Sequence, residues 1–351
     1  MKRRLLALGL LLCVLLTGCE AKESKSEQSN PEQDDKIQIG MSFDSFVIER
    51  WQRDRDVFVS TAKEMGAVVN VQNANGDVEK QREQIDYFIN KGVDVIVIVC
   101  IDSESLKATV QKARDEGIKI IAYDRLVTNS NADLYITFDN EMVGTLMATA
   151  LSDAGADGGN VLMLGGSPLD NNVPLVESGF RSVCTRKNME VIDAIHCDGW
   201  RAELAADYIY NNPDMVSKAD AIMCGNDNLA GQVIRALAEK RLAGNVPVVG
   251  QDADLEACQR IVEGTQTMTV YKPVEKLAKR AAECAICLAK GIPLDDPDVT
   301  TISDGTYEIP YIGLQPIAVT KDNIDEVIIG SGFHLKEDVY LNVPNKMPKS
   351  E

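Results

Sequence analysis

Residues Gly250–Pro273 read GQDADLEACQRIVEGTQTMTVYKP. The apolar run Val246–Val249 leads into them, so a buried strand ends near Gly250 and Asp252 falls just past its carboxyl end. Asp254 is positioned to cap a helix in which Leu255, Cys258, Ile261 and Val262 recur at helical spacing. Gly264 ends that helix where a left-handed residue is wanted. Met268 and Val270 then alternate with threonines, which is a strand pattern. The strand stops at Lys272-Pro273, because proline has no N–H to give to a ladder. Ligands of open parallel sheets gather at the carboxyl ends of strands. An acid, Asp252, and a base, Lys272, stand at two such ends and are expected to face one small polar ligand.

The same strand–helix alternation fills the chain. Lys36–Phe43, Val68–Gln72, Val93–Val99, Lys119–Tyr123 and Leu134–Phe138 read as strands, with helical patterns between the first four. Val93–Val99 (VDVIVIV) is nearly all apolar, as a strand buried on both faces must be. After Phe138 the pattern restarts, with strands at Asn160–Leu164, Met189–Ile195, Ala219–Met223 and Val246–Val249. Helices are expected at Glu141–Ala154, Val173–Thr185, Trp200–Asn211 and Asn228–Lys240. The fold class is therefore α/β: two Rossmann-like halves with parallel sheets and no Gly/Ser/Pro-rich linker between them.

Bulk properties narrow the function. The 351 residues suffice for two domains. With 36 basic and 54 acidic residues the formal charge is −18, which argues against nucleic-acid binding. Lys2, Arg3 and Arg4 followed by the apolar run Leu5–Leu16 read as a targeting segment, residues 1–18. Leu16-Thr17-Gly18-Cys19 matches the lipobox of bacterial lipoproteins, which implies cleavage before Cys19 and lipidation of its thiol. Residues 19–35 are polar and read as a flexible tether. The implied location is the extracytoplasmic face of the cell membrane, held by lipid. Of the nine cysteines, Cys100, Cys184, Cys197, Cys224, Cys258, Cys284 and Cys287 remain in the body. Most sit in apolar patterns and read as buried free thiols. Cys284-x-x-Cys287 continues the apolar face of a helix, whereas a redox pair follows a strand and opens one.

Strand ends carry Asp44, Asp124-Arg125, Asp139-Asn140, Asp170 with Asn171 and Asn172, Asn226-Asp227, Asp252 and Lys272. Carboxylates, amides and guanidinium forks suit vicinal hydroxyls, each of which donates once and accepts twice. Asp and Asn before helices also serve as ordinary N-caps. That alternative does not extend to Arg125 or Lys272, because a cation at a helix start is unfavourable. The only two tryptophans, Trp51 and Trp200, fall one in each half and outside strand patterns. Two aromatic plates ringed by polar groups can hold a sugar by its C–H faces; two packing tryptophans are the other reading. The sequence contains no nucleophile elbow, phosphate loop or His-Glu-x-x-His motif, so no enzyme is expected.

IGMSFD, ERWQRDRD, VQNANGD, AYDR, ITFDNE, GGSPLDNN, DGW and the stretch quoted first together resemble the D-xylose-binding proteins of bacterial sugar ABC transporters. These are members of the ribose/glucose-galactose group of periplasmic binding proteins. The resemblance spans about residues 36–335. It implies two lobes joined by a three-crossover hinge: 36–138 plus 272–313 for the N-terminal lobe, 139–271 plus 314–340 for the C-terminal lobe, and a flexible tail at 341–351. It also implies that D-xylose or a close monosaccharide is enclosed between the lobes. Arg50, Trp51, Asp124 and Arg125 would contact it from one lobe. Asp170, Asn172, Trp200, Asn226 and Asp252 would do so from the other, with Lys272 at the hinge. The local sequence around Pro174 departs from the family pattern. The calcium loop of the glucose/galactose members is absent, so no metal or cofactor is expected. The implied partners are ABC permease subunits, with the chain acting as a monomer. A sensor that signals to a membrane histidine kinase or chemoreceptor is the second reading, because it would use the same lobe closure.

Overall fold

The computed structural model describes residues 36–348. The expected signal segment 1–18, the lipidation site Cys19, the tether 19–35 and the last three residues of the expected tail lie outside the described residues. From Ile37 onward the chain forms one compact unit.

The first sheet contains β1 (Gln38–Phe43), β2 (Val68–Asn73), β3 (Val95–Ile98), β4 (Lys119–Tyr123), β5 (Leu134–Phe138), β11 (Thr300–Ser303) and β12 (Glu308–Leu314), in the order β11-β12-β5-β4-β3-β1-β2. All its pairings are parallel except β11 with β12. Helices α1 (Arg50–Glu64), α2 (Val78–Lys91) and α3 (Lys107–Asp115) follow β1, β2 and β3. The four residues of β3 are all buried. Val95 and Val97 pack into one apolar cluster with Phe58 of α1 and Leu277, while Ile96 and Ile98 pack into another with Ile85 of α2 and Val110 of α3. The uninterrupted apolar run is thus explained by helices on both faces.

The second sheet contains β6 (Asn160–Gly165), β7 (Glu190–His196), β8 (Ala221–Cys224), β9 (Val248–Gln251), β10 (Met268–Tyr271) and β13 (Ile317–Val319), in the order β13-β10-β9-β8-β6-β7. Only β13 runs antiparallel to its neighbour. Its helices are α4 (Asn140–Leu151), α5 (Asn172–Lys187), α6 (Glu203–Asn211), α7 (Pro213–Val216), α8 (Asp227–Glu239) and α9 (Leu255–Glu263). Helices α4 and α5 cross at Gly144 and Gly179. A Cβ on Gly144 would lie 1.8 Å from the Val176 carbonyl oxygen, and one on Gly179 would lie 1.9 Å from that of Glu141. Only glycine allows this approach.

The chain changes sheet after β5, after β10 and after β12. Helix α10 (Val274–Ala289) packs its Leu277 and Ala281 with Phe58 of α1, on the first sheet. In each sheet the strand order reverses beside the first strand, between β1 and β3 and between β6 and β8. Such a switch point opens a crevice at the carboxyl ends of the strands.

Two local expectations differ. The helix expected from Trp200 begins at Glu203, because Gly199 and Trp200 take left-handed φ values of 61° and 58°. Asp254 precedes α9 but makes no capping hydrogen bond; its own N–H donates to Asp227 Oδ2 at 3.2 Å. The described part of the expected tail makes hydrogen bonds to the end of α9. Lys346 Nζ donates to the carbonyls of Val262 and Glu263, and Asn342 donates to Glu263 Oε1 at 2.7 Å.

Candidate functional site

A cavity between the two crevices is lined by Arg50, Trp51, Asp124, Arg125, Asp170, Asn172, Trp200, Asp252 and Lys272. Nine of the ten residues singled out for the site in the sequence are therefore brought together. Asn226 is not on the wall: it caps α8, its Oδ1 accepting from Leu229 N at 2.9 Å, and its neighbour Gly225 lines the cavity instead.

Each wall residue is placed by a strand end. The β1–α1 connection delivers Arg50 and Trp51 on the first turn of α1. β4 ends at Tyr123, and Asp124 follows with φ 62°. The β6–α5 loop carries Asp170, and α5 begins at Asn172. The turn after β7 carries Trp200, β9 ends in Gln251 before Asp252, and β10 ends just before Lys272. Asp124, Trp200, Asp252 and Ala253 all have positive φ. L-residues visit that region rarely, and such strain concentrates at ligand clamps.

The polar wall is one ionic network. The Arg50 guanidinium lies 2.9 Å from Asp124 Oδ2, donates to both oxygens of Asp54 at 3.2 Å, and reaches Asp252 Oδ1 at 4.0 Å. Tyr123 O–H also donates to Asp54. Lys272 Nζ stands 3.5 Å from Asp252 Oδ1. Arg125 Nη1 donates to Asp44 Oδ2 at 2.8 Å, and its Nε lies 2.7 Å from Asp170 Oδ2. Burial pushes the Asp124 carboxyl up, but Arg50, Lys272 and Arg125 outweigh it and hold the group below the usual carboxylate range. Burial raises Asp54, Asp170 and Asp44 against the pull of their arginines. Arg50 is also buried, yet Asp124, Asp54 and Asp252 keep it more firmly protonated than a free arginine. The network is thus a fixed array of donors and acceptors, with no acid poised beside a nucleophile.

The two sheets' loops meet over this cavity. Leu126 N donates to Asn171 Oδ1 at 2.7 Å, Asn172 Nδ2 to Asp124 O at 3.1 Å, and Ser103 N to Leu169 O at 3.2 Å. The wall is accordingly buried, with Trp51 1% and Trp200 8% exposed. Five buried atoms there have no hydrogen-bond partner among the described residues: Trp51 Nε1, Trp200 Nε1, Arg125 Nε, Gln251 Oε1 and Asp252 Oδ1; of these, Arg125 Nε and Asp252 Oδ1 are held by ion pairs alone, to Asp170 and Lys272. Buried polar atoms are nearly always satisfied, so donors and acceptors left over together at one cavity call for a polar ligand that both donates and accepts. Hydroxyl groups do both.

Several wall residues were not singled out in the sequence. Gln251 donates through Nε2 to Gly225 O at 2.6 Å, which leaves its oxygen free. Glu177, inside α5, pairs with His196 Nε2 at 2.8 Å. Ile48, Val173, Val176 and Met223 supply an apolar part, and Gly166 makes room for the Trp200 ring, which a Cβ would meet at 2.2 Å. Asp54 carried a legible signal, since Arg50 and Asp54 have the i,i+4 spacing of a helical ion pair.

Residues 39–293 match the model of the periplasmic binding protein domain. The chain is 44% identical over 310 residues to the D-xylose-binding periplasmic protein of Haemophilus influenzae, covering 87% of this chain and 92% of that one. It is 43% identical over 310 residues to the protein of the same name from Escherichia coli, covering 87% and 93%. Among solved structures, an ABC transporter solute-binding protein from Clostridium phytofermentans with bound β-D-glucose superposes with a TM-score of 0.77. That match has 26% identity and covers 86% of this chain and 99% of that one.

Proposed function

Because the chain belongs to the periplasmic binding protein family, whose members are solute receptors and not enzymes, we propose that it binds D-xylose between two lobes and delivers it to an ABC permease. The observation that carries this reading is the composition of the cavity wall. Two tryptophans, one from each sheet, and a ring of fixed acids, cations and amides surround one buried space.

In this account the pyranose packs its C–H faces against Trp51 and Trp200. Their indole N–H groups, Gln251 Oε1 and Asp252 Oδ1 provide donors and acceptors that make no hydrogen bond among the described residues. Arg50, Asp124, Arg125, Asp170, Asn172 and Lys272 complete the hydroxyl contacts, and Asn226 holds Gly225 and α8 in place. The lobes are residues 36–138 plus 272–313 and residues 139–271 plus 314–340, hinged at the three sheet changes. Neither lobe alone buries the sugar. Closure excludes water and strengthens each charged hydrogen bond inside. The sugar therefore draws an open–closed equilibrium toward the closed form by its differential affinity, and the permease reads that form. The protein acts as a monomer on the extracytoplasmic face, anchored by lipid on Cys19; the lipobox supports that last point.

The chain's only tryptophans both line the cavity, which gives a direct test. Titration with D-xylose should change the intrinsic fluorescence in a saturable, one-to-one manner. Fluorescence that stays constant while sugar is added to excess would refute the reading.

A further inference from the structure

The turn Asp252–Ala253 is held from outside its own sheet. Both residues have left-handed backbones, with φ 99° and 55°, a region that neither favours. Two bonds from β10 help hold the turn: Asp252 N donates to Val270 O at 2.8 Å, and Ala253 N to Thr269 Oγ1 at 3.1 Å. A third comes from far along the chain, where His334 Nε2 meets Ala253 O at 2.8 Å. A carbonyl only accepts, so Nε2 carries the proton. Burial lowers the imidazole pKa, so the neutral Nε2–H tautomer makes this bond near neutral pH.

His334 is itself clamped. Its ring lies 4.6 Å from that of Phe333, and Phe333 lies 4.8 Å from Tyr271, the residue before Lys272. The Arg53 guanidinium covers the Phe333 ring at 4.1 Å and donates to Phe333 O at 2.6 Å, while its other arm pairs with Glu275 at 2.7 Å. Arg53 sits on α1, about one turn beyond Arg50. One short segment thus touches the neighbours of Asp252 and Lys272 and the helix that carries Arg50.

We propose that Phe333 and His334 form a positioning strap, gripped by Arg53, that fixes the Asp252–Ala253 turn and so aims the Asp252 carboxylate at the sugar. The proposal rests on the sugar-binding reading above. The strap does not line the sugar cavity; behind it, Phe333 and His334 border a smaller cavity with Arg50, Asp252 and Ala253, and the strap acts through the Ala253 carbonyl.

The test compares the purified full-length protein with His334→Leu and His334→Gln. Leucine keeps bulk and removes the donor, while glutamine restores an N–H. D-xylose affinity and amide exchange of residues 252–254 without sugar are measured for each. His334→Leu should weaken affinity about tenfold, the upper range for one hydrogen bond. It should speed exchange at the turn and leave exchange elsewhere unchanged, and His334→Gln should restore both. Unchanged affinity and exchange in His334→Leu would overturn the strap. So would a loss spread over the whole protein that glutamine does not repair, because that is a merely structural role. A wild type that binds no sugar would sink the sugar reading, and the exchange comparison would still decide whether the strap holds the turn.

Discussion

Arg125, just past β4 in the first sheet, reaches Asp170 beyond β6 in the second: Nε lies 2.7 Å from Oδ2, and each side chain is 3% exposed. The same guanidinium donates to Asp44 and to the Cys100 carbonyl. It is therefore a buried tie across the cleft with carboxylates on both sides. Arg125→Met leaves Asp44 and Asp170 buried without their cation. Removing one partner of a buried pair costs about 3–5 kcal/mol. Urea denaturation without sugar should show a loss of that order, and sugar affinity should fall with it. Unchanged stability would mean that the pair is not formed in solution.

Trp200→Ala removes an aromatic part of the cavity wall. Sugar affinity should fall by about 2 kcal/mol or more, the scale of a central buried aromatic. Calorimetric titration checks it, and affinity equal to wild type would remove Trp200 from the site.

Two glycines separate binding from folding. Gly166→Ala puts a Cβ 2.2 Å from the Trp200 ring, so the ring must shift and sugar affinity should drop. Gly144→Ala puts one 1.8 Å from the Val176 carbonyl, where backbone must move. Overpacking of that kind costs about 1–3 kcal/mol of stability. Thermal melts and titrations of both variants should show opposite emphases: lost binding for the first, lost stability for the second.

The division of legibility follows from what spacing encodes. Strands buried on both faces must be apolar throughout, so Val93–Val99 declared its place. Strand ends follow from where those runs stop, which places Asp252 and Lys272 at two neighbouring carboxyl ends. Backbone conformation was not legible. Trp200 sits in a left-handed turn rather than on a helix, and nothing in Asp198-Gly199-Trp200 distinguishes the two. Asn226 has the residue type of a strand-end ligand group, but its oxygen accepts from Leu229 N; cap and ligand use the same residue type. Gln251 and Glu177 lie within a strand and a helix, so their place on the wall depends on how the elements pack. The His334 contact joins residues 81 apart in sequence, a relation no local pattern carries.

Asp304 gives a pH prediction. Burial raises its carboxyl, but the backbone N–H groups of Thr306, Tyr307, Asn131 and Ser130 outweigh that and hold it below the ordinary value. A carboxyl depressed in the folded state adds stability that is present above its unfolded pKa of about 3.9 and is lost as pH falls through the folded value. Asp304→Asn should therefore be less stable than wild type at neutral pH. The gap should narrow as pH is lowered below about 4. A gap independent of pH would show that the charge contributes nothing.

The most direct measurement is calorimetric titration of the body, without residues 1–35, with D-xylose and then with D-glucose, D-ribose and L-arabinose. The account predicts tight one-to-one binding of D-xylose, with weaker binding of the other sugars. Absence of heat with every sugar would contradict it and leave the family resemblance as a statement about the fold.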